Sequence, residues 1–322
     1  MSYKRVAVLR GGPSAEYDVS MQTGASALLA LRELGYTVKD IVITRQGEWL
    51  DQGFVRSPQQ ALAAIDVAFL ALHGAFGEDG TVQRIVERLG IPFTGSRSFP
   101  SALAFNKILT KESLRAHGVK MAAHRRVSGT HSEDLEAEAA AIVHEFGPQY
   151  IIKPVASGSS VGTMFVRDAA LLPQALRDAL TQSGEVMVEE YIRGREATCG
   201  VLEGYRGERV YSLPVIEIVP PEEAVFFRAD VKYNGSTKEI VPARFTYHEK
   251  AQIEELARFV HEQLGLSQYS RSDFILRDGK PYFLEVNTLP GLTSESLFPK
   301  AMRAVGSDLK QLIRHLVETA TT

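Results

Sequence analysis

The chain has 322 residues, of which 44% are hydrophobic and 23% are charged, and its formal net charge is −3 at pH 7. This composition is typical of globular proteins in water, and the length predicts two or three domains rather than one. The small net charge gives no electrostatic reason to expect nucleic acid or an anionic membrane as a partner. The single cysteine, Cys199, excludes an internal disulfide and a cysteine-based metal cage. The longest apolar run is too short to span a bilayer, so we expect a cytoplasmic protein.

The first ninety-odd residues alternate strand and helix patterns, which predicts a small α/β unit with a parallel sheet. Its strands are expected at residues 5–9, 38–43 and 67–72, and a further helix at 81–89. A helix between the first two strands should end at Gly35 and carry on its buried face Met21, Ala25, Leu28 and Leu31. Functional loops are expected at the carboxyl ends of these strands.

A second unit is expected from residue 97, with a helix over 100–117 that carries Lys107 and Lys111 one turn apart. A strand over 150–155 runs into small polar residues, and helices are expected at 135–145 and 171–180. From about residue 186 the pattern changes to strands at 187–191, 196–202, 210–219, 273–276 and 282–286. These strands predict an antiparallel sheet, with a hairpin turn at Asp278-Gly279. We therefore predict domains at residues 1–96, 97–186 and 187–322.

Two apolar stripes complete the expected elements. Residues 253–264 form one helical stripe, and residues 309–316 form another near the C-terminus. Cys199 lies in the middle of a predicted strand, so we expect a small core residue there rather than a nucleophile.

The segment around Arg271 concentrates polar groups on what the pattern predicts to be a strand pair. Asp273 and Glu285 lie on runs joined by a tight turn, so they can face one another, and Asn287 shares the face of Glu285. Two carboxylates and an amide oxygen are ligands suited to Mg²⁺. Arg271, on the face of Asp273, could hold a developing negative charge. On this segment alone, a surface hairpin with cross-strand ion pairs is an equally good interpretation.

A second polar feature is the run Lys153-Pro-Val-Ala-Ser-Gly-Ser-Ser-Val-Gly-Thr. Gly158 and Gly162 permit tight backbone geometry, and the small residues offer N–H groups and hydroxyls to a phosphate. The spacing is not that of a Walker loop. An ordinary flexible loop is the alternative, and the separate magnesium-like cluster favours phosphate binding.

Polar residues also follow two strands of the first unit. Glu16 and His73 are candidates for gripping the amine and the carboxylate of a small zwitterion, although a single histidine at a strand end is more often structural. The Gly-x-Gly-x-x-Gly spacing of dinucleotide loops is absent, which argues against a nicotinamide dehydrogenase. The stretch 226–235 is aromatic and charged without periodicity, which predicts either a mobile lid or a plain surface loop.

Taken together and in this order, the motifs resemble the D-alanine–D-alanine ligases, a family of the ATP-grasp superfamily. The resemblance runs from Gly11 to Pro299. It implies an ATP-grasp architecture with an N-terminal parallel α/β domain, a small central domain and a C-terminal antiparallel-sheet domain. It implies ligation of two D-alanines through an acyl phosphate for peptidoglycan precursors. It also implies ATP and two Mg²⁺ ions, for which Mn²⁺ can substitute, and a homodimer.

The resemblance also assigns roles to individual residues. The residues implied in catalysis are Glu16, Ser159, Tyr233, Arg271 and Gly291. The residues implied in ATP binding are Lys107, Lys153, Ser160, Glu189, Glu190, Tyr191, Ile192, Glu196, Phe226 and Lys232. The residues implied in binding the two amino acids are Val19, His73, Ser296 and Leu297. The implied ligands of the two magnesium ions are Asp273, Glu285 and Asn287.

Some positions bear on the product and on the lid. Ester-forming relatives replace the tyrosine at position 233, so Tyr233 favours an amide product. Arg228 reverses a charge in the loop before Lys232, and Asn106 stands where an aspartate commonly precedes the phosphate lysine.

The alternative functions are an ATP-grasp ligase with another acceptor, such as D-lactate or D-serine, and a nucleotide-binding regulator without turnover.

Overall fold

The computed structural model describes residues 4–129, 132–158, 162–221 and 237–321. Three sheets organise these residues. Within the described ranges, no helix is both long enough and apolar enough to cross a membrane.

The first sheet is built around a parallel core, as predicted. Its strand order is β4-β3-β2-β1-β5, and β1 pairs in parallel with both β2 and β5. The strands are β1 (Arg5–Gly11), β2 (Thr37–Ile43), β3 (Trp49–Asp51), β4 (Phe54–Arg56) and β5 (Val67–Leu72). The sequence did not predict β3 and β4, which extend the sheet as an antiparallel hairpin beyond β2. The helices of this unit are α1 (Tyr17–Glu33), α2 (Pro58–Ala61) and α3 (Thr81–Arg88).

The predicted buried face of α1 is wrong in part. Ala25 is exposed, and the buried face turns toward Thr23, Ala27, Leu28 and Leu31. The cause is a polar contact at the start of the helix, where the Ser20 hydroxyl accepts from the Gly11 N–H (2.7 Å) and donates to the Ala71 carbonyl (2.6 Å). These bonds tie α1 to β1 and to the residues of β5, and they set its rotation.

The central sheet has the order β6-β9-β7-β8 with antiparallel pairing. Its strands are β6 (His124–Ser128), β7 (Tyr150–Pro154), β8 (Met164–Val166) and β9 (Glu185–Glu190). Two helices pack on it, α6 (Ser132–Glu145) and α7 (Leu172–Ser183). The expectation that residues 187–191 belong to the C-terminal sheet is therefore wrong, because β9 lies between β6 and β7. The predicted domain boundaries stay predictions, and we propose that the third domain begins after Glu190.

The predicted helix over 100–117 is two helices, α4 (Ser98–Phe105) and α5 (Lys107–Arg115). Asn106 separates them in an extended conformation, with φ −86° and ψ 105°. Its side chain accepts a hydrogen bond from the Leu109 N–H at 3.0 Å and so caps α5. Lys107 consequently starts a new helix.

The C-terminal sheet is antiparallel, as predicted, with the order β13-β12-β10-β14-β15 and with β11 paired to β10. Its strands are β10 (Arg195–Tyr205), β11 (Glu208–Ser212), β12 (Ile216–Val219), β13 (Lys238–Ile240), β14 (Tyr269–Arg277) and β15 (Lys280–Asn287). The strand expected over 210–219 is interrupted at Pro214, which lacks the N–H that a ladder needs. Asp278 and Gly279 form the expected hairpin turn with φ of 50° and 70°.

Three further helices are α8 (Tyr247–Gln263), α9 (Leu297–Ala304) and α10 (Leu309–Glu318). Helix α8 packs on the C-terminal sheet through Ile253, Ala257 and Val260, and the predicted stripe is confirmed. Helix α10 instead joins the core of the first unit, and the Phe93 N–H donates to the Thr321 carbonyl at 3.1 Å. The end of the described chain thus packs against the N-terminal unit. Cys199 is buried, and burial raises the pKa of its thiol, as expected of a core residue.

Candidate active site

A cavity of about 920 Å³ opens where the three units meet. Loops of the first unit, the central sheet and the C-terminal sheet all contribute side chains to its wall. Every predicted site residue within the described ranges lines it. Ser159, Ser160, Phe226, Lys232 and Tyr233 lie outside the described residues, as do the departing position Arg228 and the rest of the expected lid at 226–235.

The strand pair β14–β15 forms the polar floor of the cavity. Asp273 faces Glu285 in the register, and Arg271 faces Asn287. The predicted facing of the two carboxylates is therefore confirmed. The side chains of Arg271 and Asp273 are only 15% and 19% exposed. A surface ion-pair ladder, the alternative interpretation, is wrong for this pair.

Asp273 is held by several donors. The Arg271 guanidinium donates through Nε (2.9 Å) and Nη2 (2.8 Å), one to each carboxylate oxygen. The Thr198 hydroxyl donates at 2.6 Å and the Asn287 amide Nδ2 at 3.2 Å. Burial works against the charged guanidinium, but Asp273 outweighs it and raises the pKa of Arg271. The Arg271 guanidinium therefore stays charged, and its two hydrogen bonds hold the Asp273 carboxylate in place.

The oxygen donors on this floor fit magnesium, an ion that takes only part of its ligands from the protein. No group of three or more His, Cys, Asp or Glu side chains in the described ranges could hold a metal ion. Asp273, Glu285 and Asn287 supply two carboxylates and one amide, which suits Mg²⁺ because that ion takes its remaining ligands from water and phosphate oxygens. Asn287 donates to Asp273 through Nδ2, and the Oδ1 of the same amide is the atom that would bind a metal.

Two lysines stand beside this floor. Lys107 Nζ donates to the Ser157 carbonyl at 2.6 Å and lies 3.6 Å from Glu285 Oε2. Lys153 Nζ lies 2.6 Å from Glu189 Oε2. Both ammonium groups reach the cavity wall from different units, Lys107 from the start of α5 and Lys153 from β7. This arrangement suits a chain of phosphates between them.

Glu189 is held between two lysines, and one of them was not assigned from the sequence. Its Oε1 pairs with the fully buried Lys111, while Oε2 pairs with Lys153. Burial alone would raise the pKa of Glu189, but the two ammonium groups lower it to about 2. Lys111 lies one turn after Lys107 on α5, and that spacing was the only signal in the sequence.

The end of β9 provides an apolar slot. Glu190 and Tyr191 donate their backbone N–H groups to the carbonyls of Ala123 and Gln149, which fixes this segment. Ile192 packs with Ile275 and Leu284, and Ala122 lies in the same cluster. The Tyr191 ring lies 4.8 Å from that of Phe165. Glu196 stands opposite Ile275 on β10 and also lines the cavity. Apolar walls with nearby backbone groups suit a flat heterocycle.

The first unit contributes Glu16, Val19 and His73 to the cavity wall. Both ring nitrogens of His73 are engaged within the protein. Nδ1 lies 2.9 Å from the Leu289 carbonyl, and Nε2 lies 2.8 Å from the Thr23 hydroxyl. Burial lowers the pKa of His73 to about 4. The ring is therefore neutral, and it donates to the Leu289 carbonyl while accepting from Thr23.

Glu78, which sequence reasoning missed, binds the backbone of the same residue, Leu289, on its N–H side. Its Oε1 accepts from the Leu289 N–H at 3.1 Å and its Oε2 from the Gly74 N–H at 2.9 Å. Burial, with the charge of Glu16 adding to it, raises the pKa of Glu78 to about 7. His73 and Glu78 thus fix the loop that follows Asn287. The only signal in the sequence was an acidic residue five positions after His73.

Replacing Glu78 by glutamine should change how stability depends on pH. Because the folded-state pKa is raised from 4.5 to about 7, the stabilising contribution of Glu78 is complete below 4.5 and is lost as pH rises through 7. His73 acts in the opposite sense, since its lowered pKa contributes stability above 6.5 that is lost as pH falls through 4. We expect the unfolding free energy of the wild type, relative to E78Q, to fall by about 3 kcal/mol between pH 4.5 and 8.5. Urea denaturation across this range measures it, and a difference independent of pH would contradict the buried position of Glu78.

The loop after Leu289 and the start of α9 bring Gly291, Ser296 and Leu297 to the cavity wall. Ser296 directly precedes α9, and its hydroxyl accepts from the Thr293 N–H at 3.1 Å and lies 2.8 Å from the Thr293 hydroxyl. Leu297 begins the helix. The free N–H groups of a helix start favour a carboxylate, which fits the position predicted for the second amino acid.

Gly158, in the run of small residues that follows Lys153, lies against the N-terminal loops. A Cβ added to Gly158 would lie 2.1 Å from Glu16 Oε2 and 3.2 Å from the Gly74 Cα. Gly158 therefore lets the central unit approach the first unit closely, directly over the Glu16 carboxylate. An alanine side chain cannot occupy this position unless Glu16 or the loop moves.

Gly158→Ala should consequently damage activity more than stability. The backbone of Gly158 is not in the left-handed region, so the added methyl brings a steric clash and no backbone strain. We expect kcat/KM to fall about a hundredfold, because small displacements of positioned groups have effects of this size. Steady-state kinetics measures the loss, and an unchanged thermal midpoint separates it from unfolding. Wild-type kcat/KM in G158A would show that the close approach is not needed.

The facing antiparallel sheets, with lysines and a carboxylate pair around a nucleotide-sized cavity, are those of an ATP-grasp enzyme. Family models described as D-ala D-ala ligase N-terminus and C-terminus match residues 51–96 and 114–318. A D-alanine–D-alanine ligase of Geobacter sulfurreducens is 39% identical, with 98% of this chain and 94% of that protein covered. The chain therefore belongs to the D-alanine–D-alanine ligase family.

Solved structures give the same fold over the whole chain. The D-alanine–D-alanine ligase of Bacillus anthracis complexed with ATP aligns with a TM-score of 0.79 and 31% identity, covering 98% of this chain and 97% of that one. The VanG D-Ala:D-Ser ligase of Enterococcus faecalis aligns with a TM-score of 0.84 and 30% identity, covering 98% and 99%. The ATP-grasp architecture predicted from the sequence is confirmed.

Proposed function

We propose that the chain joins two D-alanines into D-alanyl-D-alanine at the expense of ATP, through a D-alanyl phosphate, and releases ADP and phosphate. The product would serve peptidoglycan precursor synthesis. The observation that carries the proposal is a single cavity that combines two phosphate-suited lysines, the Arg271–Asp273–Glu285–Asn287 floor and the Glu16 loop. The family relatives support the choice of substrates.

The chemical problem is that a carboxylate is a poor electrophile. Attack of the first D-alanine carboxylate on the γ-phosphate of ATP gives an acyl phosphate and ADP. The acyl carbon then carries phosphate, which is a good leaving group. Such transfer needs positioning and charge neutralisation more than covalent help. Lys107 and Lys153 lie where they can neutralise the phosphates. Glu16 also lines the cavity and would hold the ammonium group of the first D-alanine.

In the second step the amine of the second D-alanine attacks the acyl carbon. Phosphate leaves and takes with it the carboxylate oxygen of the first D-alanine that had attacked the γ-phosphate. Arg271 and Gly291 both line the cavity, and the guanidinium and the Gly291 N–H would stabilise the oxyanion that forms at that carbon. Ser296 and the start of α9 hold the carboxylate of the second D-alanine. Water would hydrolyse the acyl phosphate, so the close contact between the Gly158 loop and Glu16 serves to exclude it.

Magnesium is the metal that the donor set fits, and Mn²⁺ is expected to substitute. Asp273, Glu285 and Asn287 would hold two ions. Magnesium held there would supply positive charge that offsets the negative charge of the phosphates during transfer. Lys107, 3.6 Å from Glu285, keeps that carboxylate beside the phosphates.

A second candidate is a ligase with a different acceptor. The D-Ala:D-Ser ligase of Enterococcus faecalis shares the fold at 30% identity, so this fold accommodates another second substrate. Tyr233 favours an amide product over the D-lactate ester, and this residue lies outside the described ranges. A nucleotide-binding regulator without turnover is disfavoured by the complete set of lysines, arginine and metal ligands.

The experiment is phosphate release with a panel of D- and L-amino acids, followed by mass analysis of the products. We expect release with D-alanine alone and one dipeptide for each phosphate. Competition with D-serine or D-lactate then gives the acceptor preference. Phosphate release that is the same with and without amino acids would contradict ligation. A depsipeptide or a D-alanyl-D-serine product in excess would assign the alternative acceptor.

Two implications of the family resemblance stay predictions. A cytoplasmic location fits the biosynthetic role, and a homodimer is expected. Analytical ultracentrifugation decides the second, with a mass of twice the 35.4 kDa chain as the expected result.

A further inference from the structure

Lys111 is a buried charge that the proposed chemistry does not use. It is 0% exposed and does not line the cavity, although Glu189 and Lys153, which form an ion-pair cluster with it, do. Its ammonium pairs with Glu189 Oε1, and Lys153 pairs with Oε2 of the same carboxylate at 2.6 Å. The three side chains come from α5, β9 and β7, so this charge cluster joins three separate elements.

The cluster has a consequence for nucleotide binding. Lys153 lies beside the expected phosphates, and a contact with them competes with its ion pair to Glu189. Glu189 is only 2% exposed, and a buried carboxylate left without a partner is strongly unfavourable. With Lys111 in place, Glu189 keeps one counter-ion when Lys153 moves. Without Lys111, Lys153 would be the only ammonium on Glu189 within this cluster and would be held there.

We propose that Lys111 is a positioning residue of the nucleotide site, which holds Glu189 in place and so leaves Lys153 able to exchange Glu189 for a phosphate. This inference rests on the proposed nucleotide site. Lys111 itself never contacts the nucleotide. Its effect is therefore selective for nucleotide binding, whereas a purely structural ion pair would affect the nucleotide and the amino acid alike.

The test is calorimetric binding of adenylyl imidodiphosphate with Mg²⁺, together with the KM values for ATP and D-alanine. We expect K111M to bind the analogue at least about tenfold more weakly, with the KM for ATP raised and the KM for D-alanine little changed. K111R keeps the charge and should stay within about threefold of wild type. K120M, at an exposed lysine, is the matched control and should bind as wild type does.

Each outcome decides the inference. Wild-type affinity in folded K111M, or equal weakening for ATP and D-alanine, overturns it. If K111M does not fold, K111Q takes its place with the same expected result, because its amide still donates to Glu189 without the charge. A wild-type protein that does not bind the analogue contradicts the nucleotide site, and this inference with it. Analogue binding that is lost only in the neutral variants supports the inference even if dipeptide synthesis is absent.

Discussion

Glu285→Gln is expected to lower kcat roughly a thousandfold, because the change removes one of the two carboxylates of the proposed magnesium site and the negative charge beside Lys107. An amide of the same shape is a weaker ligand for a hard cation. The Mg²⁺ concentration needed for half-maximal activity should rise as well. Steady-state phosphate release over a magnesium titration measures both effects.

The matched control is Asp278→Asn at the tip of the same hairpin. Its side chain is 90% exposed, and asparagine tolerates the positive φ of this turn. D278N makes the same carboxylate-to-amide change outside the cavity and should keep wild-type turnover. Near-normal kcat in E285Q, with an unchanged magnesium dependence, would reject the metal role of β15.

Arg271→Lys is expected to lower kcat/KM by about 10² to 10³, although the positive charge is retained. The guanidinium donates to both oxygens of Asp273, and a lysine cannot reproduce this fork. Asp273 would lose a donor, and the oxyanion would lose a fixed partner. The loss should appear mainly in kcat, since the oxyanion exists only during reaction.

Arg277→Lys on the same strand serves as the control for Arg271. Its side chain is 45% exposed, and it does not line the cavity. We expect wild-type kinetics in R277K. If R271K raised only the KM values and left kcat unchanged, Arg271 would be a ground-state contact, and its assignment to the oxyanion would be wrong.

The sequence predicted those parts of the fold that local patterns determine. The parallel core strands and the β14–β15 hairpin with its Asp-Gly turn follow from apolar periodicity and turn chemistry. The three-residue strands β3 and β4 are too short to show a period. The place of β9 in the central sheet depends on which distant strands pair with it, and no local pattern encodes that choice.

The same limit applies to the site. The motifs identified the residues that line the cavity, because carboxylates, lysines and glycines with these spacings point to phosphate chemistry. The contacts between motifs were missed, because they join residues far apart in the chain. The Leu289 backbone meets His73 and Glu78 across more than two hundred residues, and Lys111 meets Glu189 across 78. Such contacts depend on how the three units assemble.

The acyl-phosphate route is the central claim, and an isotope transfer tests it most directly. D-Alanine carrying ¹⁸O in both carboxylate oxygens is incubated with ATP, Mg²⁺ and the enzyme in ordinary water, and the phosphate and dipeptide are analysed by mass. If the carboxylate attacks the γ-phosphate, each released phosphate carries one ¹⁸O atom and each dipeptide keeps three. Unlabelled phosphate, formed alongside dipeptide, would show that no carboxylate oxygen reaches phosphorus and would contradict the account.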